Sequence, residues 1–279
     1  MSHYPALSPW LLLLLGAALN GAAALISFWR RSVDAGGAAA GAVVGTVVFA
    51  SAGPLGWLLL AVFVVSSTGM TRFRSAQKKW LSSIQEKGGR RDALQVFANG
   101  GAGMLAAVLY RVTGEASWAF ALAAAFASAN SDTWASEIGV LSARRPISLL
   151  TLQPVPRGIS GGVTLLGLAA ALGGAAVIAI LFSLGWAVST GTMAGVGGRF
   201  GLVTAAGIIG CLLDSILGST VQAHYALPHS GSSLIVTERR KTAGVPNTLV
   251  RGWPFVTNDV VNAASTTAAA LVGVALGFL

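Results

Sequence analysis

Apolar runs of roughly twenty residues alternate with short polar stretches along most of this chain. About 20 mostly apolar residues, rising ~1.5 Å each, cross the hydrocarbon core of a bilayer as a helix. The pattern predicts eight such helices, over residues 8–29, 35–52, 54–70, 95–112, 116–140, 160–187, 200–221 and 255–278. The second and third are short, and "SAGPLG" between them reads as a tight turn. The eighth begins with polar residues. The first, "PWLLLLLGAALNGAAA", has the look of a secretory leader with an Ala-rich cleavage site. No Lys or Arg precedes it, so it reads as a retained helix. Gly37, Gly41 and Gly45 recur at four-residue spacing, a pattern of close helix packing. No internal repeat emerges.

Composition agrees with this pattern. Of 279 residues, 54% are hydrophobic and only 10% charged, against about 25% charged in soluble domains. Mean hydropathy is +0.73. The predicted fold class is all-α: a polytopic integral membrane helical bundle, residues 1–279 forming a single membrane domain. The net charge of +9 first suggests nucleic acid, but the placement of the charges argues for membrane topology instead. Of the 18 Lys and Arg, only Arg111 and Arg199 fall outside the first, third, fifth and seventh loops. Basic loops stay in the cytoplasm, which puts both termini outside and calls for no nucleic-acid partner. The charge pattern fits the inner (cytoplasmic) membrane of a bacterium. The longest polar stretch, residues 71–95, is strongly basic. It reads either as an interfacial helix on anionic lipid or as a cationic lid for phosphate. Cys211, the single cysteine, rules out an internal disulfide and reads as a packed thiol.

Topology sorts the polar residues inside the apolar runs. Asn130, Asp132 and Glu137 in "ANSDTWASEIG" fall near the cytoplasmic end of the fifth helix. Asp214 falls in the cytoplasmic half of the seventh; Asn258, Asp259 and Asn262 open the eighth; Gln95 and Asn99 open the fourth. Asp34, at the start of the second, reads as an N-cap. A charge at the bilayer centre costs about 2.5–3.5 kcal/mol, so carboxylates gathered at one depth point to a shared polar site. Asp132 and Glu137 lie about 140° apart on an ideal helix. Either the helix breaks there or the two serve different partners. Carboxylates with amides and hydroxyls are hard oxygen ligands suited to Mg²⁺, with phosphate oxygens completing the shell. "VPRGISGGVT", with Arg157, Ser160, Gly161 and Gly162, opens the sixth helix in this reading and offers backbone N–H groups to an anion. His3, His224 and His229 are scattered and support no zinc site. His229 reads as a loop residue or a phosphate contact.

The blocks "GRRDALQVFANGG", "ANSDTWASEIG", "PRGISGGVTLLG", "DSILGSTVQ" and "VTNDVVN", in that order, resemble the transmembrane protein 19 family, whose plant chloroplast member is phytyl-phosphate kinase. The resemblance runs from about residue 32 to the C-terminus. It implies a nucleoside-triphosphate-dependent kinase, using CTP or UTP, that converts a membrane prenyl monophosphate to the diphosphate. Some eukaryotic members carry cysteines before the last helix; "HYALPHSGSSLIVTERRK" has none.

On this reading Asp132, Glu137, Asp214 and Asp259 form the catalytic group, the first three holding Mg²⁺. Arg157 with the "GISGG" backbone, and Lys78, Lys79 or Arg91 from the basic stretch, would neutralise phosphates. Asn99, Asn130, Asn258, Asp259 and Asn262 would orient the prenyl phosphate or complete the metal shell. Cytidylyl transfer to a lipid phosphate would use the same groups. A transporter for an ion or phosphorylated solute is the non-enzymatic alternative.

Overall fold

The computed structural model describes residues 8–78, 90–227 and 236–277. Seven helices appear among them: α1 Pro9–Trp29, α2 Ala35–Arg72, α3 Ala93–Thr113, α4 Ala116–Gly139, α5 Leu165–Thr190, α6 Val196–Thr220 and α7 Asn258–Leu276. All but α4 are long and apolar enough to cross a membrane. The expected count of eight differs at α2, which joins the predicted second and third helices. Gly53 breaks its helical geometry, with φ 67° and ψ −165°, just ahead of Pro54. Glycine alone takes such a conformation without steric cost, and the proline cannot continue the helical hydrogen bonding. The chain turns back here: Arg72 Nη2 donates to Arg30 O (3.0 Å) and Ser32 Oγ (2.9 Å), beside the start of the same helix. A straight 38-residue helix would be about 57 Å long, nearly twice a bilayer core; each half is roughly 27 Å.

Helix α4 is the core of the bundle. Nearly every residue from Ser117 to Ser131 is buried, while Leu14, Val65, Leu105, Leu172, Val188 and Leu271 on the other helices are exposed. This outward-facing apolar surface is that of a protein solvated by lipid. Helices α2, α3, α5, α6 and α7 pack around α4, and α1 packs on α2. Glycines bring the neighbours close. A Cβ on Gly174 of α5, Gly207 of α6 or Gly273 of α7 would lie within 3.0 Å of α4 atoms. Small residues at these points replace the hydrophobic drive that lipid cannot supply. Of the predicted glycine stripe, Gly37 abuts the Arg91 carbonyl and Gly45 abuts Asn20, while Gly41 faces open space. Asn20 also accepts a hydrogen bond from Trp57 Nε1 (2.9 Å), tying α1 to the returning half of α2.

Short strands decorate one end of the bundle. β1 (Ile147–Ser148) pairs with β2 (Gly162–Val163). β3 (His224–Ala226) lies between β4 (Val236–Thr237) and β7 (Thr248–Arg251), and β5 (Lys241–Thr242) pairs with β6 (Val245–Pro246). The predicted sixth helix is therefore corrected at its start. Residues 160–164 are not helical; Thr164 caps α5 by accepting from Gly167 N, and Gly162 and Val163 lie in a ribbon.

Candidate functional site

At the end of the bundle that carries the strands, a cavity of about 660 Å³ opens around the last turns of α4. Two helices set its floor. Gly207 lies against Ala127 and Gly210 against Ser128, so α4 and α6 run side by side in the same direction. One turn further along each, Asp132 and Asp214 both line the cavity. Asp214 Oδ2 accepts a hydrogen bond from Ser265 of α7 (3.1 Å). Asn258 and Asp259, in the first turn of α7, line the same space.

Two basic walls flank this floor. On one side a pair of helix caps fixes the chain. Asp34 caps α2 by accepting from Gly37 N (2.7 Å), as its position predicts. Asp92 caps α3 in a reciprocal box with Gln95. Between them, Arg91 N donates to Ser32 O and Arg91 O accepts from Asp34 N, both at 3.1 Å. Gly37 allows this contact, because a side chain there would strike the Arg91 carbonyl. Arg91 and Gln95 line the cavity. Burial pulls the Arg91 guanidinium below its ordinary range, and the charge of Glu137 acts the other way. Lys78 completes this wall. Its buried Nζ donates to Glu137 Oε2 and Met70 O, at 2.6 and 2.7 Å.

The opposite wall is the α4–α5 connection. Arg144 and Arg157 line it and are exposed to water. Arg157 Nη2 donates to Ala143 O (2.6 Å). Gly158 and Gly161 take positive φ, 80° and 89°. At Gly161 a side chain would collide with Ser219 at the end of α6, so this glycine seats the loop on the helix. Ser160 donates to Glu238, and Gln222 Nε2 donates to Glu238 Oε1 (3.0 Å) and Ser160 Oγ (3.1 Å). Glu238 thus ties the glycine loop to the strand region and also lines the cavity.

The predicted residues divide accordingly. Asp132, Glu137, Asp214, Asp259, Lys78, Arg91, Arg157, Ser160, Gly161, Gly162 and Asn258 all border the cavity. Asn130 does not. It is fully buried, with Oδ1 accepting from Ser66 (2.8 Å) and Ser67 (3.3 Å) and Nδ2 donating to Gly174 O (2.8 Å). Asn99 donates to Gln95 O within its own helix. Asn262 is buried one turn inside the cavity-facing start of α7. Lys79, His3 and His229 lie outside the described residues, as do residues 79–89 of the basic stretch. The three-carboxylate metal set also changes. Helix α4 continues unbroken to Gly139, so Asp132 and Glu137 diverge, and Glu137 pairs with Lys78. Among the described residues no three His, Cys, Asp or Glu side chains gather closely enough to hold a metal by themselves. Glu238 was missed. Its only signal was an acid within the basic "VTERRK". His224, buried beside Arg251, is pushed down to about 4 by burial and by the Arg251 charge, against its hydrogen bond to Gln222 O.

The fold and cavity define a polytopic helical membrane protein with an ionisable pocket at one end of its bundle. The chain belongs to the family of integral membrane proteins designated DUF92, matching it over residues 18–270. It is 32% identical to Protein PGR of Arabidopsis thaliana over 92% of this chain and 93% of that protein. It is 28% identical to Protein VTE6, chloroplastic, of the same plant, over 87% of this chain and 64% of that longer protein. An uncharacterised membrane protein of Synechocystis is 26% identical over 84% of this chain and 78% of its own length. These relatives fall in the family to which the sequence blocks pointed. No solved structure matches the chain.

Proposed function

We propose that this protein is a membrane lipid phosphotransferase: a kinase that uses CTP or UTP to convert a prenyl monophosphate to its diphosphate. The observation that carries the reading is the cavity, which joins Asp132 and Asp214 on its floor to arginines on its walls at one end of a lipid-facing bundle. The relationship to VTE6 and PGR supports it. Two carboxylates are too few to enclose a metal, but they suit Mg²⁺, which keeps waters and takes substrate phosphate oxygens. Asp132 and Asp214 would hold it, with Asp259 and Asn258 beside them. When bound, Mg²⁺ supplies charge neutralisation at the phosphates.

The remaining work falls to the chain. Arg157 and Arg144 would donate to the donor's phosphate oxygens. An oxygen of the acceptor phosphate forms the new P–O bond to the terminal phosphorus of the donor. The P–O bond to the leaving nucleoside diphosphate breaks. The attacking oxygen is already anionic, so positioning and charge neutralisation take the place of a general base. We place the cavity at the cytoplasmic face, since the basic loops lie at that end, and count the two halves of α2 as separate crossings. That gives eight crossings with both termini outside, in a bacterial inner membrane.

Purified protein incubated with Mg²⁺, each nucleoside triphosphate and prenyl monophosphates tests the reading by mass spectrometry. A prenyl diphosphate plus nucleoside diphosphate is expected. A nucleotidyl-lipid plus pyrophosphate would replace the kinase with cytidylyl transfer. Nucleotide-independent uptake into liposomes, with no product, would make it a transporter.

A further inference from the structure

We propose that the two basic walls divide the substrates: Arg144 and Arg157 receive the nucleoside triphosphate, and Arg91 with Lys78 and Gln95 receives the lipid-borne phosphate. This assignment rests on the phosphotransferase reading and goes beyond it, because a single basic cavity could hold either phosphate in either place.

Three observations carry it. The first is position in the fold. Arg91 and Gln95 sit at the start of α3, and Lys78 is seated on the last turn of α2 through Met70 O. Their immediate neighbours Leu94 and Phe97 are exposed on the outside of the bundle. A phosphate whose chain remains among lipids reaches helix ends at headgroup level. Arg144 and Arg157 belong instead to the connection between α4 and α5, which folds over the end of α6 through Gly161 and Ser219.

The second is exposure. Arg144 and Arg157 face water, where a nucleotide arrives, whereas Lys78 is buried and Arg91 half-buried. The third is partnership. Arg157 is already held in place by the Ala143 carbonyl. The Arg91 guanidinium makes no hydrogen bond among the described residues, and Arg91 borders the cavity. A shielded guanidinium is costly unless an anion completes it. Glu137, a carboxylate whose charge acts on it, is engaged by Lys78.

Separate binding measurements test the division. Titrate CTP with Mg²⁺, and separately phytyl monophosphate in nanodiscs, against the wild type and the Arg157→Gln and Arg91→Gln variants. Losing a charge-assisted contact should weaken one ligand about tenfold or more. The expected pattern is crossed: Arg157→Gln weakens CTP and spares the lipid phosphate, and Arg91→Gln does the reverse. Arg91→Lys should restore much of the lipid affinity. Gln95→Leu and Arg144→Gln repeat the comparison should either arginine variant fail to fold. Equal losses of both ligands, or the opposite pairing, would overturn the division while leaving the kinase reading intact. A wild type that binds neither ligand would overturn both.

Discussion

Asn130 and Asp132 stand two residues apart on the same helix, and both look equally foreign to a membrane. The structure gives them opposite surroundings. Two residues turn a helix through about 200°. Asn130 faces α2 and α5, where the Ser66 and Ser67 hydroxyls and the Gly174 carbonyl meet its amide. Asp132 faces α6 and the open cavity. A polar group whose partners are all protein holds helices together. One that borders a space lined by other charges is available to a ligand. The distinction lies in the partners rather than in the residue type.

The comparison can be broken most sharply at Asp132. Asp132→Asn should reduce phosphoryl transfer about a thousandfold, or about 4 kcal/mol of barrier, with an unchanged melting temperature. Wild-type turnover in that variant would remove Asp132 from the site. Next comes the Lys78–Glu137 pair, which belongs to both regions at once. Lys78→Met leaves Glu137 without its partner and should cost about 3 kcal/mol. The double variant Lys78→Met/Glu137→Gln should recover most of that loss in denaturant melts. Strictly additive losses would show that the pair is not coupled.

Asn130→Leu is the converse of the first test. It should destabilise the protein by about 1–3 kcal/mol, since two hydroxyls and a carbonyl lose their partner. The folded fraction should retain near-normal kcat. A large fall in kcat at unchanged stability would make Asn130 part of the site after all. The smallest effect concerns His224. Its folded pKa near 4 lies below the usual ~6.5, so the unfolded chain takes up the proton first. Stability is therefore full above pH 6.5 and declines as pH falls toward 4. Melting curves across that range should show this slope, and His224→Asn should flatten it.

How far the sequence carried depended on the range of the interaction. Helix placement was legible because a spanning helix must satisfy its own backbone and turn apolar residues to lipid, both local requirements. The fold-back in α2 was legible as "SAGPLG", although the helix resumes so promptly after Gly53 that the two halves read as one element. Asp132 and Asp214 stood out through the energetic cost of a membrane carboxylate. Residues whose roles depend on distant partners were not legible. Glu137 looked like a metal ligand until Lys78, 59 positions away, was found against it. Ser160 and Gly161 looked like a helix start, whereas Glu238, Gln222 and the end of α6 hold them in a loop. Glu238 meets the cavity beside Gln222 and Ser160, 16 and 78 positions away in the chain.

Helix α4 also has a history within the membrane. Alone among the seven described helices, it does not combine the length and apolarity of a spanning segment, and its neighbours α5, α6 and α7 are made after it. A nascent chain ending at residue 140 would hold the Lys78 partner of Glu137 and the Ser66 and Ser67 partners of Asn130, but not Gly174 or the α6 wall beside Asp132. Retention of α4 in the bilayer should therefore depend on synthesis continuing at least through α6. Membrane-extraction assays on truncated chains should find α4 poorly retained until then, and stable retention of the short chain would contradict this order. The helix that organises the finished site would thus gain a secure place only after a later helix has been made.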